Sequence, residues 1–420
     1  MTSVRTGRRR QIYLPDSVAF WAVGGILGFF MFAASAPSPL YGVYAARWHF
    51  SPLTLTIVFA IYALALLLAL LITGRLSDHL GRKPVMLGAI AAEIAAMACF
   101  IAADSTVVLG VARAVQGLAT GCALGVLSAA IAELSESRAP ALGSVVTSSA
   151  APFGLAAGAL ASSALVQYGP SPLRLVYWLI IAGLIVGAVV VGAMREPGER
   201  RPGALASLKP VVGVPPEARS TFVMILPSLV ALWALIGFYL SLAPSLIGSI
   251  AGSSNLLWGG FAVFCLCVSG GAAIVLLRQA TAQTVMLVGC ITLFAGVGLT
   301  LVAIAASSTA LFLVGSVIAG VGFGLAFLGN VRAVMGVAAP AQRAGTMAVL
   351  YIVSYVVFSV PVVIAGVAET HFSARDVALV FSAAVTALAG AGILASLAHR
   401  KPAHQQGAPA SDSAAGRLRQ

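Results

Sequence analysis

Long apolar stretches separated by short polar breaks fill almost the whole chain. Twelve of them, at about 17–41, 53–73, 85–103, 106–132, 142–167, 173–194, 221–246, 256–277, 284–305, 309–330, 344–367 and 377–398, reach the roughly 20 apolar residues that a helix needs to cross a ~30 Å hydrocarbon core. The longest interior break, 195–220, is polar and rich in proline and charge, and it divides the spans six and six. The pattern predicts an all-α membrane protein. It has a cytoplasmic tail over 1–16, a six-helix bundle over 17–194, a cytoplasmic linker over 195–220, a second six-helix bundle over 221–398 and a disordered tail over 399–420.

Composition agrees. The 420 residues are 60% hydrophobic and 9% charged, against about 25% charged in soluble domains. The net charge of +12 could suggest nucleic acid in a soluble chain, but here its placement sets orientation. With the N-terminus inside, Arg47, Arg174 and Arg375 are the basic residues left outside, and Arg113 lies within a span. The rest of the 24 fall on the side of the termini, so the positive-inside rule puts both termini in the cytoplasm; the expected location is the plasma membrane. The span after Met1–Gln11 is too long for a cleavable signal. Cys99, Cys122, Cys265, Cys267 and Cys290 lie inside apolar stretches, where cysteine behaves as a small hydrophobe. No disulfide or metal site is expected.

The halves echo each other. Ala139-Pro140-Ala141 precedes the fifth span and Ala339-Pro340-Ala341 the eleventh, while Gly117 and Gly121 of the fourth span correspond to Gly320 and Gly324 of the tenth. Such spacing lets membrane helices approach closely. Six plus six with these echoes predicts a parallel repeat, as in secondary transporters whose site lies between two halves.

Charge is scarce, yet Gly74-Arg75-Leu76-Ser77-Asp78-His79-Leu80-Gly81-Arg82-Lys83-Pro84 holds five charged or titratable side chains between the second and third spans. Basic residues alone would fix topology, so the acid suggests a further role. This stretch resembles the signature between spans two and three of the major facilitator superfamily. Arg113-Ala-Val-Gln116-Gly117 resembles an element in the fourth span of its proton-coupled members. Pro37-Ser-Pro39-Leu-Tyr41 resembles an element of the twelve-span drug/proton antiporter group. In the fifth span Pro152 stands where that group has a proline, but Thr147, Ala151, Leu155 and Ala156 replace its glycines. The resemblance covers about 17–398 and implies the major facilitator fold and alternating access. It also implies a cytoplasmic gate made by Gly74, Asp78, Gly81, Arg82 and Lys83, with Asp78 bridging the bundles; a loop that only fixes topology is the other reading.

Inside the membrane a charge costs roughly 2.5–3.5 kcal/mol on insertion scales, so Glu93 and Arg113 should face partners or water. Counted from the turn at Asp104-Ser105, Glu93 lies ~15 Å and Arg113 ~10 Å deep. An arginine side chain spans that difference, which predicts a Glu93–Arg113 contact and makes both residues candidates for proton coupling. A static buried pair is the alternative. Gln116, Gly117 and Pro152 are cavity or hinge candidates. Tyr351 and Tyr355, one turn apart, either line the cavity or pack. Asp16 reads as the N-cap of the first span, and Glu133 and Glu136 as solvated or paired with the charged loop. No Asp or Glu stands between Glu217 and Glu369, so ionic coupling belongs to the first half.

The chain carries no phosphate-binding G-x-x-x-x-G-K-[ST] motif and no catalytic set in its spans. It is therefore expected not to be an enzyme, to use no cofactor and to draw its energy from a gradient, with the proton gradient suspected. The expected partners are a small-molecule substrate and the lipid bilayer, with no nucleic acid and a functional monomer. The leading reading is proton-coupled efflux of a drug or metabolite. A proton symporter or uniporter importing a metabolite, or a non-transporting sensor or scaffold, are the alternatives.

Overall fold

In lipid every backbone polar group has to be satisfied within the protein, and a chain this apolar does so by folding as helix throughout. A computed structural model describes residues 13–74, 76–136, 140–198, 202 and 209–398, and no strand occurs among them. Twelve helices are long and apolar enough to cross a membrane. They are Asp16–Trp48, Pro52–Thr73, Arg82–Ala102, Thr106–Glu136, Leu142–Tyr168, Leu175–Ala193, Pro216–Ser241, Leu257–Leu276, Ala282–Ala305, Thr309–Val337, Pro340–Ala368 and Ala374–Ala398. They are called the first to twelfth spans below.

Several helices outrun their apolar stretch, because hydropathy measures hydrocarbon thickness and not helical length. The seventh begins at Pro216, inside the stretch expected to be linker, and the fourth continues to Glu136. The first is a helix to Ser35, a 3-10 turn over Ser38–Leu40 and a second helix over Tyr41–Trp48. Pro37 and Pro39 supply no N–H, so the α-helical ladder stops there. Asp16 is not the cap. Pro15 takes that position without a side-chain bond, and Asp16 falls in the first turn, where a carboxylate faces the positive end of the helix dipole. Residues 1–12 of the expected tail over 1–16, the tail 399–420 and Arg75 lie outside the described residues.

Glycine sets the closest crossings. A Cβ on Gly117 would strike the Tyr62 carbonyl and Ala65, and one on Gly121 the Leu66 carbonyl and Ala69, so the fourth span lies directly on the second. In the other half, Gly320 rests on the Leu266 carbonyl and Ser269, and Gly324 on the Gly270 backbone, so the tenth lies on the eighth. The same pairs of spans make the same crossing in both halves, which is the parallel repeat in physical form.

The halves meet where the second span packs on the eleventh and the fifth on the eighth. Several contacts between them lie at the span ends remote from the chain termini. Ser38 Oγ donates to the Leu240 carbonyl, Leu256 N–H donates to Gln167 Oε1 at 3.0 Å, and Asn255 Nδ2 donates to Tyr168 OH at 3.2 Å. Gly366 sits against Thr56, and Gly260 against Ser163. On the face of the termini, a cavity of about 570 Å³ opens between the ends of the fourth and fifth spans, beside Glu133, Glu136, Ser144 and Thr147.

Candidate functional site

The break at Pro37 is the starting point. A proline at 37 offers no N–H to the Ala33 carbonyl four residues back, and a helix end leaves its last carbonyls without partners. Here they are met from another span. Gln116 Nε2 donates to the Ala33 carbonyl at 2.9 Å, and Arg113 Nη1 donates to the Ala34 carbonyl at 3.2 Å. Ser162 Oγ donates to the Ala36 carbonyl at 2.5 Å, tying the fifth span to the same break.

Arg113 is only 1% exposed. Its Nε donates to Tyr41 OH at 2.5 Å and its Nη1 to Gln116 Oε1 at 2.6 Å. The guanidinium carbon lies 5.3 Å from the Tyr41 ring centre and 4.7 Å from that of Tyr62. A cation over aromatic faces in a desolvated site gains up to about 2 kcal/mol per ring. Arg113 is thus a fixed charge, held by carbonyl, phenol, amide and two rings.

Glu93 does not touch Arg113 as the depth count had predicted. Gln116 stands between them, with Nε2 donating to Glu93 Oε1 at 3.1 Å while Oε1 accepts from Arg113. Gln116 lies three residues beyond Arg113, ~4.5 Å deeper along the helix, and so reaches the level of Glu93, which the arginine would have had to stretch to meet. Glu93 is wholly buried, and its Oε2 accepts no hydrogen bond among the described residues. Thr120, close by, donates its hydroxyl proton to the Gln116 carbonyl. The result is a line of Glu93, Gln116, Arg113 and Tyr41, with Gly117 beside it seating the fourth span on the second.

At the equivalent position of the second half stands Ser316. It bonds Tyr239 OH at 2.7 Å and the Phe312 carbonyl at 2.7 Å. The same two spans are joined there by neutral groups, which leaves the buried charge to the first half as expected.

The loop after the second span forms a second cluster. Arg82 Nη1 meets Asp78 Oδ1 at 2.6 Å and also donates to Ser77 Oγ; Nη2 meets Glu133 Oε1 at 2.6 Å. Asp78 therefore pairs within its own half, and the bridge to the other half that the resemblance implied is not formed among the described residues. Gly81, at φ 98°, occupies backbone space that a side chain would strain and has no side chain to cap the third span. Glu196, from beyond the sixth span, does so instead by accepting from Arg82 N at 2.5 Å and Lys83 N at 3.3 Å. Lys83 Nζ in turn donates to the Met194 carbonyl at 2.5 Å. Gly74 closes the second span with its Cα 3.6 Å from where a Cβ on Gly125 would lie.

The cluster predicts unequal effects. Asp78 is 36% exposed on its side chain, so Asp78→Asn should cost no more than ~1 kcal/mol. Arg82→Met leaves two carboxylates and a serine without their donor and should cost about 2 kcal/mol, allowing for the part-exposed Glu133. Thermal unfolding of the purified variants ranks the two.

Pro152 lies inside the fifth helix, as expected, but the glycines that matter are Gly154 and Gly158, which press on the Gly28 and Phe32 carbonyls of the first span. Their G-x-x-x-G spacing was the available signal. Tyr62 was also missed; a lone tyrosine in an aliphatic span was its only sign. Tyr355 is buried among Trp233 and Phe358, and Tyr351 stands half-buried beside it.

The model of the Major Facilitator Superfamily matches residues 22–360. A crystal structure of the nucleoside transporter NupG superposes with a TM-score of 0.70 at 12% identity, covering 90% of this chain and 99% of that one. The human organic anion transporter MFSD10 (TETRAN) gives 0.66 at 16%, covering 90% and 100%. Among curated proteins none matches.

Proposed function

Because this chain belongs to the major facilitator superfamily, and is thus a membrane-embedded transporter of small molecules, we propose that it exports organic solutes by alternating access, coupled to protons through Glu93. The observation that carries this reading is the buried Glu93–Gln116–Arg113 line. Arg113 cannot give up its proton in a protein, whereas a carboxyl can gain and lose one. Gln116 holds one Glu93 oxygen and leaves the other free to take a proton or a solute donor. The fixed positive charge on the far side of the amide resists a second cation. Proton binding at Glu93 and solute binding beside it thus act on the same spans, where the first, second and fourth meet.

The contacts at the ends remote from the termini support a conformation sealed on that side, which is inward-facing when both termini are cytoplasmic. The Asp78–Arg82–Glu133 cluster then belongs to the open side, free to engage the other half when the cavity turns outward. The protein works as a monomer in the plasma membrane.

Purified protein in vesicles with an imposed pH gradient and a panel of labelled solutes tests the reading. Movement of at least one solute against its own gradient, toward the acidic side, is the expected result. Flux that ignores the pH gradient overturns the coupling, and flux of no solute favours a sensor or scaffold.

A further inference from the structure

The second half holds an aromatic box facing the first. Trp233 of the seventh span packs against Tyr355 at 5.2 Å, Phe358 at 5.9 Å and Phe327 at 6.0 Å between ring centres, and Tyr351 adds a further ring 6.4 Å from Tyr355. Tyr351, Ser354, Tyr355 and Phe358 follow the i, i+3, i+4, i+7 spacing of a single helix face. Phe358 reaches across to Phe59 of the second span at 4.8 Å. Phe59 lies one turn from Tyr62, whose ring covers Arg113. The box and the buried charge line are therefore joined through one face of the second span.

Two donors in this box are unmatched. Trp233 Nε1 and the fully buried Ser354 Oγ have no hydrogen-bond partner among the described residues. A buried indole N–H ordinarily finds an acceptor, and leaving one without costs desolvation that a ligand acceptor would recover. Aromatic walls alone would also suit a cation. Here no carboxylate stands between Glu217 and Glu369 to balance one, and the charge next along the wall is the positive Arg113.

Resting on the transporter reading above, we infer that the box formed by Trp233, Ser354, Tyr355 and Phe358 selects planar, non-cationic solutes that carry a hydrogen-bond acceptor, such as a carbonyl, for the Trp233 N–H. The rings take the flat body of the solute, the indole takes its acceptor, and Arg113 repels the permanently cationic analogue.

Three bicyclic probes of one shape separate the possibilities: methyl 2-naphthoate with an ester acceptor, 2-ethylnaphthalene with none, and 2-naphthyltrimethylammonium with a permanent charge. Binding is followed by thermal stabilisation of the full-length protein in detergent, with Trp233→Phe as the control for partition into micelles. The ester should bind wild type about fivefold more tightly than the ethyl compound, the value of one hydrogen bond, and more tightly than the cation. Trp233→Phe, which keeps a ring but removes the N–H, should erase the ester's advantage. A cation that binds as well as the ester overturns the inference. So does an ester advantage that survives in Trp233→Phe, or the absence of saturable binding by all three. The wild-type comparison stands even if the variant fails to fold. Because no gradient is used, vesicles that show no proton coupling leave this result untouched, and a preference for the cation leaves the coupling untouched.

Discussion

Glu93→Gln will abolish pH-driven accumulation while leaving the fold and downhill exchange in place. A pH difference of two units supplies ~2.7 kcal/mol per proton, enough for about 100-fold accumulation of a solute exchanged for one proton. With an amide at position 93 no proton can be carried, and the solute ratio across the membrane should fall to about one. The fold should survive because the amide oxygen accepts the same bond from Gln116 Nε2 that Glu93 Oε1 accepts now. The new NH₂ replaces an oxygen that has no partner among the described residues. Removing a buried ionisable group relieves desolvation, so the melting temperature should hold or rise. Accumulation ratios and melting curves from one preparation check both halves of the prediction.

Gly121→Val will have the opposite profile and destroy the protein before transport can be measured. Membrane helices associate through close packing, and a Cβ at 121 runs into the Leu66 carbonyl and lies 2.9 Å from Ala69 Cβ. Backbone cannot swing aside as a side-chain tip can, so the spans must separate. Overpacking against side chains costs about 1–3 kcal/mol, and valine here meets a main chain on top of that. Gly324→Val should fail in the same way against Gly270 in the other half. Gly25→Val, where nothing lies within 4 Å, is the control and should be recovered at wild-type yield. Yield of monodisperse protein by gel filtration separates the three.

These two predictions draw on different amounts of sequence information. The glycine crossings were legible because a helix repeats every 3.6 residues, so spacing alone places Gly117 and Gly121 on one face. Span number, the six-plus-six division and the charged loop were legible for a similar reason: each is a local pattern set by hydrocarbon thickness or by neighbouring residues. The Glu93–Gln116–Arg113 line was half legible. Glu93 and Arg113 stood out as charges in lipid, but their relation depended on Gln116, on the level it reaches along the helix, and on carbonyls some 80 residues away that Pro37 releases. Nothing in the order of residues says that a broken first span will face the fourth. Asp16 shows the same limit in reverse: Pro-Asp-Ser fits a cap by residue type, yet the helix starts one residue earlier than that reading requires and no cap bond forms. Glu196 was invisible because a helix capped from a segment over 110 residues away leaves no local trace.

The two halves are asymmetric. The first half holds the buried charge, the proton candidate and the paired loop. The second presents Tyr239 and Ser316 where Arg113 and Tyr41 would be, and an aromatic face with unmatched donors. On the function proposed above, the duplicated scaffold divides ion and solute between its halves, and the packed second and eleventh spans join them.

The central claim is that one proton carried on Glu93 is exchanged for each solute. Simultaneous recording of solute flux and internal pH in vesicles tests it most directly. The account predicts proton and solute fluxes in constant ratio for wild type, and solute exchange without proton movement for Glu93→Gln. Proton flux that persists at the wild-type ratio in Glu93→Gln, or solute transport by wild type with no change in internal pH, would contradict it.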